Sequence, residues 1–267
     1  MSSEKATAIV LRTVDFSETS LVVTLFTREF GKLGAMAKGA KRPKNPFESA
    51  LDLLTLCRIV FLHKSSEALD LLTEAKLIRR FRPPTFAPNA GNGERQIASG
   101  GRGLFSLYAG YYVAELLGEL THDNDPHPQL FDLADETLAA LASGEPIPRR
   151  IVRFELGALR LLGHAPSLDT CVACGAMVEA KGRVAFGHLD GGVLCGNCRT
   201  GRRHVAAVSA GTLRTMEQLA DPGGTNWNRM EINQRTLGEL RGVLNQYLIH
   251  LLGKKPRMHK YLGMLWN

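Results

Sequence analysis

The first 80 residues alternate short apolar runs with polar breaks, a pattern typical of β-strands. The first two runs are rich in β-branched residues, and glycine or polar turn residues separate the runs. The last two runs are rich in Leu and fit a helix equally well on periodicity alone. Five extended segments are predicted, at 6–14, 19–27, 31–39, 51–63 and 68–78.

From residue 104 the apolar positions recur every three or four residues, the spacing of amphipathic helices. Before them, 83–103 combines prolines with glycines and has no hydrophobic period, which predicts a linker or mobile loop. Ser209 is a predicted N-cap and Gly163 a predicted C-cap. The helices are expected to pack as a bundle in a second domain, 104–267. They are predicted at 104–120, 129–143, 149–163, 209–220 and 232–253.

The composition is that of an ordinary globular protein, with 44% hydrophobic and 22% charged residues. No apolar run approaches the roughly 20 residues that a membrane span needs. The N-terminal residues also lack the apolar stretch of a secretory signal. We therefore expect no membrane association and a cytoplasmic location.

The net charge of +7 is concentrated in the N-terminal segment. Residues 1–82 contain 14 Lys and Arg against 9 Asp and Glu, which favours a polyanionic partner such as nucleic acid. The densest run is MAKGAKRPKNPF at 36–47, where two prolines stiffen a segment with four cations. A solvated surface loop is the alternative interpretation. Five strands with a basic surface favour a barrel of the oligonucleotide-binding (OB) type over 1–82.

Four of the five cysteines form two C-x2-C pairs, with twenty residues between them. Each pair turns tightly enough to direct two thiolates at one point, so two pairs supply the ligands of a tetrahedral structural zinc. Four thiolates leave no open position for activating water. Disulfides and a redox pair are the alternatives, and a cytosolic location disfavours disulfides. We expect one Zn²⁺ in a knuckle at 169–203, with the ligands Cys171, Cys174, Cys195 and Cys198.

Other reactive residues receive ordinary structural interpretations. His164, His188 and His204 flank the cysteine pairs and are expected on the surface, since four cysteines already complete the site. Cys57 lies in an apolar run and is expected to be buried. The stretch THDNDPHP at 121–128 is interpreted as a loop that ends a helix rather than as a metal site. No P-loop, G-x-S-x-G or H-E-x-x-H motif occurs, so we expect no enzymatic activity.

Four blocks of sequence, together with the cysteine pairs, resemble the RecO family of bacterial DNA repair proteins. The resemblance extends in order from residue 6 to about residue 265. One departure lies in the last block, where many members have a Lys-Ser pair after the proline. Arg257 and Lys260 would have to supply the charge there. The blocks are FSETSLVVTLFTREFGKLGAMAKGAKRPKN, YAGYYVAELL, RFELGALRLLGHAPSLDTCVACG and HLLGKKPRMHKYL.

The resemblance implies a fold and a function. The fold is α+β: an N-terminal five-stranded OB-type β-barrel, then an α-helical bundle domain with an inserted four-cysteine zinc knuckle. The function is recombination mediation without ATP. Family members bind single- and double-stranded DNA, anneal complementary strands and act with RecR. Together they load RecA onto strands coated by single-strand binding protein, which implies action at the bacterial nucleoid during repair.

Basic residues of the barrel are the predicted phosphate contacts, because cations on the face and rim of such a barrel neutralise a nucleic-acid backbone. Phosphate contacts do not read sequence, so binding is expected to be sequence-independent. The predicted residues are Arg12, Arg28, Lys32, Lys38, Lys41, Arg42 and Lys44.

A second site is predicted in the helical domain, where the resemblance implies docking of the acidic, apolar tail of single-strand binding protein. Ordinary amphipathic packing is the alternative explanation for its arginines, Arg149, Arg150, Arg153 and Arg160. A zinc-ribbon adaptor that binds protein, with incidental DNA contact, is the alternative function. It predicts weak and salt-insensitive DNA affinity.

Overall fold

The structure is a computed structural model of the chain. It describes residues 2–47, 49–63, 68–84, 95–221, 227 and 230–263, with the backbone alone at 95–102. Two compact units are present: 1–147 with 260–262, and 148–259 with the residues from 263. Part of the predicted linker, at 85–94, lies outside the described residues.

The first unit contains a closed barrel of five strands in the order β1-β2-β3-β5-β4. Neighbouring strands are antiparallel, except that β3 and β5 pair in parallel over three residues, 35–37 with 70–72. Both Leu-rich runs, which also fitted helices, form strands over 56–62 and 70–79, because their alternate residues enter the core, whereas 51–55 lie in the preceding loop. The predicted N-terminal barrel is confirmed. Its strands are β1 (Ser3–Asp15), β2 (Leu21–Thr27), β3 (Gly31–Ala37), β4 (Leu56–Leu62) and β5 (Asp70–Arg79).

Two helices belong to the same unit as the barrel: α1 (Arg95–Leu120) and α2 (Pro128–Ala142). Phe131 of α2 packs on Phe26 of β2, with 6.1 Å between the ring centroids. The turn before β3 abuts the loop between the helices so closely that a Cβ on Gly31 would lie 2.0 Å from the Asp125 carbonyl oxygen. Gly31 also has φ of 70°, which favours glycine. Because α1 begins at Arg95, its first turns occupy part of the predicted linker.

The second unit combines helices with a small sheet of order β7-β6-β8. Its sheet separates α3 (Ile147–Leu161) from α4 (Ala210–Ala220) and α5 (Gln234–Leu252) in sequence. A short α6 (His259–Leu262) follows, of which 260–262 belong to the first unit. Ser209 caps α4 by accepting from the Thr212 N–H, as predicted. The five predicted helices are therefore divided between two units rather than gathered in one. The strands are β6 (Arg183–Gly187), β7 (Gly192–Leu194) and β8 (Val205–Ser209).

A buried ion pair joins α3 to α5 in the core of the second unit. Arg241 donates to Glu155 at 2.5 Å, and both side chains are almost fully buried. Arg241 also donates to the side-chain oxygen of Asn245. Because an unpaired charge here would be costly, this pair fixes how α3 and α5 align.

Candidate metal centre and nucleic-acid interface

The four paired cysteines meet at one point in the second unit. Their sulfur atoms all lie within 4.8 Å of one another, and Cys174 and Cys195 are 3.8 Å apart. A tetrahedral zinc with Zn–S bonds of about 2.3 Å places its sulfurs about 3.8 Å apart. The donor set therefore fits one zinc-sized tetrahedral ion. Within the part of the chain that the structure describes, this is the only such group of metal-binding side chains.

Hydrogen bonds shift the pKa values of three of the four cysteine thiols. The Cys195 N–H donates to the Cys171 sulfur at 3.3 Å, and this bond is the main reason that the pKa of Cys171 falls to about 6. Hydrogen bonds from the Cys198 backbone and thiol likewise lower the pKa of Cys195. The hydrogen bonds with its neighbours raise the pKa of Cys198 to about 12. The hydrogen bonds thus favour the thiolate form at Cys171 and Cys195 but not at Cys198, and the four sulfur atoms together could hold a cation.

The small sheet positions the two cysteine pairs. The Val172 N–H donates to Val193 of β7, which brings the first pair beside the strand that leads into the second. A Cβ on Gly192 would lie 2.4 Å from the Ser167 carbonyl oxygen, so only glycine permits this close approach. These strands were not predicted, because they are three to five residues long and rich in Ala and Gly.

The burial of four residues can be compared with the sequence-based predictions for them. His164 and His204 are exposed, as predicted, but His188 is buried and packs on Phe186 with ring centroids 5.6 Å apart. The prediction that His188 lies on the surface is therefore wrong; the missed β6 ends beside it and turns it inward. Cys57 is buried in the barrel, as predicted, and burial raises the pKa of its thiol to about 12.

The basic run at 38–47 is an ordered loop between β3 and β4. Phe47 enters the barrel core, and the Ala75 N–H of β5 donates to the Pro46 carbonyl. The Phe47 N–H donates in turn to the Asn45 side chain at 2.9 Å. This anchoring holds the backbone of the loop against the barrel, so less entropy remains to be lost on binding.

The cations of this loop point to solvent beside the β1–β2 hairpin. Lys38, Arg42 and Lys44 are exposed. The Lys41 N–H donates to the Thr19 carbonyl of the hairpin, which joins the two loops. We call Lys38, Lys41, Arg42 and Lys44 the basic rim. Arg12, on the outer side of β1, is exposed as well.

Two acids of the hairpin moderate the charge of the basic rim. Lys41 pairs with Asp15 at 2.7 Å. Glu18, at the tip of the hairpin, is exposed. The rim therefore remains cationic, because four basic residues face two carboxylates.

Lys32 and Arg28, the other two predicted DNA contacts, bind groups within their own unit. The Lys32 ammonium donates to the carbonyls of Gly118 and Thr121, 2.8 and 2.6 Å away, and so caps the C-terminal end of α1. Its side chain is only 15% exposed. Arg28 forms a two-pronged contact with Asp132 of α2, which raises the arginine pKa. Both residues hold the helices to the barrel.

Three of the four arginines predicted to bind a partner tail lie beside an aromatic ring. Arg150 and Arg153 of α3 are buried, and each guanidinium lies 4.4 Å from the centroid of Trp227. Arg153 also donates to the carbonyls of Leu219 and Asp221, where α4 ends. Packing within the unit thus accounts for two of the four predicted residues. Arg149 is half-buried at 5.8 Å from the same ring, and Arg160 is exposed.

The acidic stretch 121–128 is a loop between α1 and α2, as predicted. His127 contacts Asp125 at 3.0 Å, and Asp123 lies 3.4 Å from Lys32. The Asn124 N–H donates to the Lys32 carbonyl, which holds the loop against β3. Residues 122–126 of this loop are exposed.

A closed five-stranded barrel with an exposed basic loop is typical of the oligonucleotide-binding class of proteins, and the four-cysteine cluster could hold a metal ion. The chain belongs to the RecO family. The model "Recombination protein O N terminal" matches residues 1–81, and "Recombination protein O C terminal" matches residues 102–260. This confirms the resemblance seen in the sequence and assigns the protein a role in DNA repair and recombination.

Curated relatives match along almost their whole length. The DNA repair protein RecO of Rhodopirellula baltica is 38% identical over 96% of this chain and 97% of the relative. The RecO of Anaeromyxobacter dehalogenans is 36% identical, with 98% and 96% covered. That of Moorella thermoacetica is 29% identical, with 97% and 90% covered.

No helix in the described part of the chain combines the length and apolar character needed to cross a bilayer.

Proposed function

We propose that the protein is a non-enzymatic recombination mediator that binds DNA through the basic rim. The observation that supports this best is the anchored loop: Phe47 is buried in the barrel while Lys38, Arg42 and Lys44 are exposed. A preset row of cations attracts the phosphate backbone of either single- or double-stranded DNA. Because phosphates are the same at every position, this binding is independent of sequence.

Strand annealing follows from the same charge. Two complementary strands repel each other until their phosphates are neutralised. A strand held on the rim by its phosphates keeps its bases available for pairing and has lower net charge. The protein would therefore raise the rate at which complementary strands meet and pair.

The proposed partners are RecR, RecA and single-strand binding protein, with the nucleoid as the place of action. These assignments rest on the family rather than on a surface of this chain. If the acidic tail of single-strand binding protein docks on α3, Arg149 and Arg160 are its accessible cations, since Arg150 and Arg153 are buried against Trp227.

The proposed metal is one structural zinc bound by Cys171, Cys174, Cys195 and Cys198. Zinc bound by four thiolates contributes on the order of 10 kcal/mol to the folding free energy of such a small domain. It has no open coordination position for chemistry. The role of these residues is to hold the β6–β7 hairpin and the first cysteine pair together.

A DNA-binding titration at two salt concentrations tests the proposal. The variant is the triple substitution Lys38→Glu, Arg42→Glu and Lys44→Glu, and the control is Lys181→Glu, an exposed lysine of the other unit. The wild type should show a log affinity against log salt slope of roughly −3 to −4 on single strands, for four to six phosphates. The triple variant should bind far more weakly and anneal slowly. Wild-type binding by this variant would refute the proposal.

A further inference from the structure

An aromatic side chain is unusually exposed beside the basic rim. Phe16, at the tip of the β1–β2 hairpin, is 62% exposed. Val14, two residues earlier on β1, is 41% exposed. Single exposed apolar residues are common, so their surroundings decide whether they have a role.

Val14 belongs to an apolar row across the outer face of four strands. It pairs in register with Val22 of β2, Val22 pairs with Met36 of β3, and Met36 pairs with Leu71 of β5. Directly paired residues share one face of a sheet, and these four are not in the barrel core. The row therefore forms an apolar surface outside the barrel. We call this row, together with Phe16, the Phe16 platform.

Cations border the Phe16 platform on two sides. Arg12 lies two residues before Val14 on the same strand and is exposed. Lys41 reaches Asp15, the immediate neighbour of Phe16, and its backbone bonds to Thr19 of the hairpin. An apolar surface bordered by cations matches a ligand with flat apolar faces and regularly spaced negative charges. Unpaired nucleotides have both features, whereas an apolar protein surface has only the first.

We propose that the Phe16 platform stacks unpaired bases and thereby makes the barrel prefer single-stranded over double-stranded DNA. In a duplex the base faces are already stacked on each other, so a duplex offers this surface only its phosphates. The inference rests on the proposed function, because the basic rim must first hold the strand. It adds that the choice between single and double strands is made by apolar contact rather than by charge.

The test compares Phe16→Ala with wild type on labelled oligo(dT) and on a duplex of the same length. Loss of one stacked base should lower single-strand affinity roughly tenfold, which corresponds to about 1.4 kcal/mol. Duplex affinity should stay within about twofold, and the salt slope should not change, because no phosphate contact is lost. Ile78→Ala is the matched control, since Ile78 is 47% exposed at the far end of β5.

A second variant, Phe16→Trp, reports contact directly. Stacking with thymine should quench the emission of the new tryptophan, whereas wild-type emission should change little on binding. Equal losses on single strands and duplex, or no loss and no quenching, would overturn the inference. So would a Phe16→Ala variant that alters self-association or protein binding alone. If the triple charge reversal of the rim does not weaken binding, that result contradicts the proposed function rather than the stacking role of Phe16. The two proposals therefore fail on different results.

Discussion

Lys41 and Asp15 join the basic loop to the end of β1, with 2.7 Å between the ammonium nitrogen and a carboxylate oxygen. The side chain of Asp15 is 76% exposed, so the pair adds little to stability. It does place a negative charge where phosphates are proposed to lie. We therefore expect the pair to limit DNA affinity rather than to support it.

Replacement of Asp15 by Asn should strengthen DNA binding. The change removes a carboxylate that repels phosphate and releases Lys41 to contact one, so the salt slope should steepen by about 0.7 on single strands. Fluorescence anisotropy at several salt concentrations measures both quantities. Asp52→Asn removes the same charge from the Arg80 pair elsewhere in the unit and should have a smaller effect. Unchanged or weaker binding by Asp15→Asn would contradict the assignment of the rim.

Replacement by Ala should lower stability at Lys32 and DNA affinity at Lys44. Lys32→Ala leaves two carbonyls at the end of α1 without their donor, so we expect unfolding free energy to fall by about 1–3 kcal/mol. Lys44→Ala should leave stability within about 0.5 kcal/mol, because Lys44 is exposed, while it weakens DNA binding. Urea denaturation and a binding titration on the same two proteins make the comparison. A Lys32→Ala protein of wild-type stability but weak DNA binding would restore its predicted DNA role.

Loss of one cysteine ligand should release the metal and leave the barrel intact. For Cys198→Ser, elemental analysis should show about one zinc fewer per chain, because three thiolates hold the ion less well. Protease cleavage within 169–203 should become faster. The Cys57→Ser control should keep its zinc, since Cys57 lies in the barrel core of the other unit. Zinc content unaffected by Cys198→Ser would contradict the assigned ligand set.

His259 should make the second unit less stable in mild acid. Burial first, then the charges of Arg241 and Lys255, lower its pKa from 6.5 to about 4. Because the unfolded chain takes up the proton more readily, stability should decrease as pH falls from 6.5 to about 4 and level off below. The loss is roughly 2 kcal/mol after allowance for solvent screening.

Denaturant titrations across that pH range test this effect of His259. His259→Gln should flatten the curve, since glutamine does not titrate. His122→Gln, in an exposed loop position, should leave the curve as in wild type. A His259→Gln curve as steep as that of the wild type would show that other groups cause the acid sensitivity.

Local pattern predicted those features that depend on residues close in sequence. Alternating apolar residues indicated the barrel strands, and the C-x2-C spacing indicated which sulfurs converge. The role of Lys32 was not predictable in this way, because its partners Gly118 and Thr121 lie more than 80 positions away.

The burial of Arg150 and Arg153 was equally hidden in the sequence. An arginine-rich helix suggests a charged surface until an aromatic ring is shown to cover it, and Trp227 lies far along the chain. The predicted tail-docking site on α3 thus lost two of its cations to packing. Phe16 did have a local signal, because it is an aromatic residue beside polar turn residues. Its exposure, however, could be recognised only from the folded barrel.

The strands of the barrel are not all paired over the same length. The shortest pairing is the one that we expect to open first. Seven register pairs link β1 to β4, whereas three link β3 to β5. A transient separation of β3 from β5 would leave the antiparallel ladders whole, so it costs much less than global unfolding. The same join carries Met36 and Leu71 side by side. A ligand that contacts both side chains would stabilise the pairing of β3 with β5 and make their separation less frequent.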